Sequence, residues 1–134
     1  MIQNYINKFT TEYNNQNLED YSYIHNFKKQ KLENRIQTTD KILLKYTGRV
    51  PIIIDSKKDI KIEQNRYIVP TDLSVGQFLF LLKKKILLSP VQSIFLICNN
   101  TILMNTDTIL SIYSKHKDYD GFLYIYILLE NTFG

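Results

Sequence analysis

The longest continuous apolar run, Phe122 to Leu129, lies close to the C-terminus. Eight residues without a polar break predict a strand buried on both faces, which only the middle of a covered sheet can hold. A second strong pattern opens at Ser74. Gln77 three residues on completes a capping box, and Leu73 and Phe78 take the two places of a hydrophobic staple. A helix is predicted from Ser74, with Val75, Phe78, Leu79, Leu82 and Ile86 as its inward stripe. Phe80 and Leu81 fall outside that stripe, so this helix either meets a second layer or leaves a docking groove open.

Upstream, Leu32, Ile36, Leu43 and Tyr46, joined by Ile42, recur at helical spacing, and Gly48 and Pro51 supply a stop. The spacing predicts a helix over 32–46, with a shorter one over 21–29. Val50 to Asp55 and Arg66 to Val69 read as strands joined by the polar stretch Lys57 to Asn65. Val91 to Cys98 is a further strand, Asn99-Asn100 a turn, and Ile102 to Met104 a brief return strand. Asn105 or Asp107 is expected to cap a short helix through Ile109, Leu110, Ile112 and Tyr113. The class is α+β, helices packed on a mixed sheet. Hairpin, crossing helix and closing central strand are the order of a β-grasp domain, here preceded by a helical arm. The expected divisions are a mobile extension at 1–20, the arm at 21–48, the core at 49–129 and an exposed tail at 130–134.

Composition narrows the picture. A chain of 134 residues builds one core without disulfide or metal staples. The single Cys98 sits in an apolar run and reads as core packing in a reducing compartment. The N-terminal stretch lacks the charged and apolar regions of a signal peptide, and no segment reaches the length of a membrane span. The net charge of +4 gathers in three lysine clusters, Lys28, Lys29 and Lys31, then Lys57, Lys58 and Lys61, then Lys83 to Lys85, whose bland reading is solvated surface. His25 and His116 stand alone, and neither metal-ligand spacing nor a Gly-rich phosphate loop occurs, so catalysis is not expected. The tail ends on Gly134, whose missing side chain suits a narrow cleft and whose carboxylate could serve as a substrate for conjugation.

The blocks LENRI (32–36), KYTGRVPIII (45–54), RYIVPTDLSVGQF (66–78), KKKI (83–86), IFLICNN (94–100), DGFLYI (120–125) and ENTFG (130–134) carry a resemblance to a known family. The chain resembles the autophagy-related ubiquitin-like modifiers, among them the GABA-receptor-associated protein and the microtubule-associated light chain. That resemblance implies a ubiquitin-like β-grasp fold with two N-terminal helices. It implies activation of Gly134 by an E1-like enzyme, transfer through an E2-like conjugating enzyme, and attachment to phosphatidylethanolamine, a modification rather than a cofactor. Phe133 would help those enzymes and a deconjugating cysteine protease grip the tail. Two acyl chains suffice for stable membrane attachment where one is marginal. The expected location is therefore cytoplasmic, then membrane-bound on autophagosomes, with a relict plastid left open.

The resemblance further implies capture of cargo receptors through an aromatic-x-x-aliphatic motif preceded by acidic residues, added as a strand beside Arg66 to Val69. The aromatic pocket would take Ile42, Pro51, Arg66, Ile68 and Phe122; the aliphatic pocket would take Tyr67, Val69, Pro70, Leu73, Phe78 and Leu81; and Arg49 and Lys85 would meet carboxylates. The alternative is a non-conjugated ubiquitin-like adaptor or a basic nucleic-acid-binding module; on the main reading nucleic acid is not a partner.

Three departures stand out. Family members place three basic residues where this chain has Gln64, Asn65 and Arg66. No residue follows Gly134, which is either encoded at the end or left by trimming. Glu19 to Ile24 itself fits the acidic-aromatic-x-x-aliphatic pattern, so Tyr21 and Ile24 either occupy the chain's own pockets or merely begin a helix.

Overall fold

A computed structural model of the chain describes residues 20–58, 60–86 and 93–130. Its elements are α1 (Ser22–Phe27), α2 (Leu32–Lys45), β1 (Arg49–Asp55), β2 (Arg66–Pro70), α3 (Val75–Lys83), β3 (Ser93–Cys98), β4 (Thr101–Ile102), α4 (Ile109–His116) and β5 (Leu123–Glu130). The five strands lie in the order β2-β1-β5-β3-β4. The apolar run of β5 therefore sits in the middle, parallel to β1 with Ile52 opposite Leu123, and antiparallel to β3 with Phe95 opposite Leu128. β2 pairs antiparallel with β1, Val50 facing Val69, and forms one edge of the sheet.

Both faces of β5 are covered, as its uniform apolarity requires. On one face α3 and α4 supply Val75, Phe78, Leu82, Ile109 and Ile112 against Ile52, Ile54, Leu123, Ile125 and Ile127. On the other, Ile24 and Phe27 of α1 meet Ile53, Phe122 and Tyr124. Alternation along the strands assigns these partners, since successive side chains point to opposite faces.

The capping box at Ser74 is complete: Gln77 N–H donates to Ser74 Oγ at 3.1 Å, and Ser74 N–H donates to Gln77 Oε1 at 2.9 Å. Asn99 and Asn100, at φ of 50° and 58°, make the turn between β3 and β4. The return strand is shorter than expected, Thr101–Ile102 alone. The cap of α4 is neither Asn105 nor Asp107 but Thr108, whose hydroxyl accepts from Ser111 N–H at 3.1 Å. Asp107 instead accepts from Met104 N–H, and the Asn105 carbonyl accepts from Gly76 N–H.

Two points about the N-terminal arm follow from the packing. Leu32, Leu43 and Tyr46 are exposed, and the buried residue of α2 is Thr39. The helix docks through Arg35, Thr39 and Ile42, one stripe at i, i+4, i+7: the first two bond Asp120 just ahead of β5, and Ile42 packs against the apolar cluster of Ile53, Phe122 and Tyr124. Tyr21 and Ile24 do not fill the chain's own motif pockets. Ile24 is fully buried with Ile53 and Phe122, while Tyr21 is buried beside Ile97 and Leu128 and meets Tyr126 edge-on at 5.5 Å. They anchor α1.

Candidate functional site

The site begins with the exposed edge of β2. The Ile54 N–H donates to the Asn65 carbonyl, and the register then turns the backbone groups of Tyr67 and Val69 toward β1. Those of Arg66 and Ile68 consequently face outward, where a further strand could add. Two side chains now cover the outward carbonyls. Gln64 Nε2 donates to the Arg66 carbonyl at 2.6 Å, and Arg49 Nη1 reaches the Ile68 carbonyl at 3.5 Å.

Side chains of β2 alternate between the faces. On the α2 side, a cavity of about 400 Å³ is bounded by Ile42, Pro51, Arg66, Ile68 and Phe122, all five residues of the expected aromatic pocket. Thr38, Ile52, Gln64 and Tyr67 complete its wall. Neither Thr38 nor Gln64 was legible as a wall residue, because each depends on how α2 and the strand approach pack. Phe27 meets the wall residue Phe122 edge-on at 5.1 Å.

Of the expected aliphatic pocket, Tyr67, Val69, Leu73 and Phe78 pack in the core on the opposite face. Val69 and Phe78 are enclosed there, while Tyr67, Pro70 and Leu73 are half-buried and Leu81 is exposed. Leu81 is 47% exposed and neighbouring Phe80 63%, which leaves apolar surface on α3 beyond its inward stripe. Tyr67 meets Phe78 edge-on at 5.7 Å, and its buried hydroxyl has no hydrogen-bond partner among the described residues. Burial raises the Tyr67 pKa above the usual tyrosine value, with Glu63 adding to the effect, so the phenol stays neutral.

Arg49 and Lys85 are not neighbours. Arg49 lies opposite Pro70 at the far end of β2, whereas the Lys85 carbonyl accepts from Glu63 N–H just before the strand begins. Phe133 and Gly134 fall outside the described residues.

The cavity wall is held by a polar latch. Arg35 of α2 donates to Asp120 Oδ2 at 2.6 Å, the Tyr124 hydroxyl donates to the same oxygen, and Thr39 Oγ1 donates to the Asp120 carbonyl at 2.6 Å. Asp120 Oδ1 accepts from Phe122 N–H at 2.8 Å, and this fixes the residue that walls the cavity. Burial pushes the Tyr124 pKa up strongly, aided by Asp120, so its hydroxyl remains a donor.

A family profile described as "Autophagy protein Atg8 ubiquitin like" matches residues 34–134. The chain belongs to the Atg8 family. Among curated relatives, Autophagy-related protein 8 of Emericella nidulans is 42% identical over 113 residues, covering 82% of this chain and 92% of the relative. That of Vanderwaltozyma polyspora is 40% identical over 105 residues, covering 76% and 89%. The crystal structure of Trypanosoma brucei ATG8 superposes with a TM-score of 0.71 at 36% identity, covering 78% of this chain and 93% of that one. Plasmodium falciparum Atg8, in complex with a P. falciparum Atg3 peptide, gives a TM-score of 0.66 at 28% identity, covering 75% and 92%. The chain is thus an autophagy ubiquitin-like modifier with the Atg8 fold. The profile match begins after α1, so Tyr23 and Phe27 lie outside it. No helix among the described residues is long and apolar enough to cross a membrane.

Proposed function

We propose that this Atg8-family chain is conjugated through Gly134 to phosphatidylethanolamine, with Phe133 gripped by the processing enzymes, and captures aromatic-x-x-aliphatic peptides at the β2 edge. One observation supports the capture reading above others: the cavity walled by Ile68 and the apolar surface at Leu81 lie on opposite faces of the sheet edge. In an added strand, side chains i and i+3 also point to opposite faces. The motif's spacing therefore fits the two sites, while an i, i+2 pair would crowd one and miss the other. The outward backbone of Arg66 and Ile68 would supply the main-chain bonds once Gln64 and Arg49 swing aside.

On this reading the chain is a substrate and adaptor, not a catalyst. Its partners are activating and conjugating enzymes, a deconjugating cysteine protease and motif-bearing cargo receptors, and the membrane is reached through the lipid. The relative complexed with an Atg3 peptide supports binding of a conjugating-enzyme segment here as well. The site of action is the autophagosome, with the relict plastid a second membrane to be distinguished by imaging.

Two experiments test the reading. Incubation with the conjugating enzymes and phosphatidylethanolamine vesicles should shift the gel mobility of the wild-type chain, and Gly134→Ala should abolish the shift. Membrane recovery unaffected by that change would refute conjugation. Titration with a motif peptide should give saturable binding that is lost when its aromatic residue becomes Ala.

A further inference from the structure

We propose that Tyr23 is a specificity-determining residue: by fixing Arg66 in the wall of the aromatic cavity, it makes the site read one carboxylate at one peptide position. The inference rests on the motif-capture reading above and concerns how acidic residues are selected.

Tyr23 and Phe27 lie one turn apart on α1, their rings stacked at 6.4 Å and 12°. Arg66 reaches across to both. Its Nε donates to Tyr23 Oη at 2.6 Å, and its guanidinium carbon lies 4.7 Å from the centre of the Phe27 ring. The ring contact and the hydrogen bond together restrain the guanidinium. A long side chain that would otherwise sweep many rotamers is held in one.

Arg66 lines the cavity, so its tethered guanidinium stands beside any aromatic side chain that enters. With Nε engaged by Tyr23, no hydrogen bond from Nη1 or Nη2 reaches another described residue. These two groups form the end-on edge that grips a carboxylate in bidentate fashion. The neighbours add no charge. Gln64 bonds the Arg66 carbonyl, and the Asn65 amide donates to the Ile54 carbonyl at 2.8 Å.

Mobile basic side chains would attract acidic residues over a broad stretch. One oriented guanidinium flanked by amides rewards a carboxylate only at the peptide residue that reaches it. The tether belongs to α1, a part of the chain outside the family match.

The test uses the full chain and three peptides that share one aromatic-x-x-aliphatic motif. The first has Asp immediately before the aromatic residue, the second Asn there, and the third the Asp moved two residues upstream. Fluorescence anisotropy should show wild type preferring the first over the second about tenfold, with the third bound no better than the second. Tyr23→Phe keeps the stacked ring and removes the acceptor. It should shrink the preference to about threefold while leaving affinity for the Asn peptide unchanged. Arg66→Lys keeps the charge without the fork and should let the first and third peptides bind alike.

A merely structural Tyr23 would weaken all three peptides equally, and that result, or an undiminished preference in Tyr23→Phe, overturns the proposal. Wild type that binds the Asn peptide without favouring Asp refutes the selectivity alone. Wild type that binds none of them refutes motif capture, and the proposal with it.

Discussion

Arg35 of α2 donates to the carboxylate of Asp120 at 2.6 Å, with the Asp120 side chain fully buried and the Arg35 side chain 12% exposed. This pair does for α2 what an apolar stripe does for α3. The Tyr124 hydroxyl donates to the same carboxylate oxygen and Phe122 N–H to the other, so the buried charge is both paired and hydrogen-bonded, while the Thr39 hydroxyl holds the Asp120 main-chain carbonyl. Removing one partner strands the other. Arg35→Ala should cost about 3 kcal/mol, read as a lowered urea midpoint at unchanged slope. Because α2 carries Ile42 and Asp120 holds Phe122, the same variant should loosen the aromatic cavity and weaken motif peptides.

Gly121 is the residue that lets α2 approach. It sits at φ +93°, and a Cβ built there would lie 2.5 Å from Thr39 Oγ1 and 2.9 Å from Thr39 Cβ. Gly121→Ala therefore combines left-handed strain with a clash against a buried side chain. It should cost well over 1 kcal/mol, visible in thermal unfolding. Gly48, also at positive φ, has nothing within 4 Å of such a Cβ, so Gly48→Ala should show only the conformational part.

Much of this fold was legible in order along the chain. The run from Phe122 to Leu129 demanded a doubly covered strand, and Ser74 with Gln77 demanded a helix start. Both signals are local, one of burial and one of hydrogen bonding. The five residues of the aromatic cavity were placed by resemblance rather than by pattern, since they come from α2, β1, β2 and the approach to β5. What escaped is non-local and polar. The docking of α2 depends on Asp120, 85 positions from Arg35, and no hydrophobic period reports a charge pair. Leu32, Leu43 and Tyr46 supplied a competing helical stripe that the fold leaves outside. The match of Tyr21 and Ile24 to a recognition motif left two readings open, and burial decides for the helix start, because both anchor α1.

Asp55 caps α1 from across the fold. Its carboxylate accepts from Ile24 N–H at 2.9 Å, from Ser56 N–H at 2.8 Å and from Tyr23 N–H, doing the work that Tyr21 at the N-cap cannot. Burial raises its pKa above the ordinary aspartate value of 3.8, against the lowering effect of those three bonds. A carboxyl that is raised on folding binds its proton more tightly in the native state. Its contribution is thus fully present below the ordinary value and is lost as pH rises through the folded one. Asp55→Asn removes that dependence. Urea unfolding at a series of pH values should show the stability advantage of wild type over Asp55→Asn greatest in acid and narrowing toward neutrality. An advantage that widened with pH would mean that the bonds outweigh desolvation.

The opposite-face arrangement of the two motif sites makes a pairwise prediction. Ile68 walls the cavity beside Phe122, while Leu81 lies on α3, the helix that covers the other face. In double-mutant cycles, Ile68→Ala should couple to truncation of the peptide's aromatic residue, and Leu81→Ala to truncation of its aliphatic residue. Each coupling should be about 1 kcal/mol. The crossed pairs are separated by the thickness of the sheet edge and should couple by less than about 0.5 kcal/mol. Leu81→Ala has the cleaner background, because Leu81 is half exposed and its loss leaves the core of Val75, Phe78 and Leu82 intact. Equal coupling of Ile68 to both peptide residues would place the two anchors on one face, and the added-strand mode of binding would then be wrong.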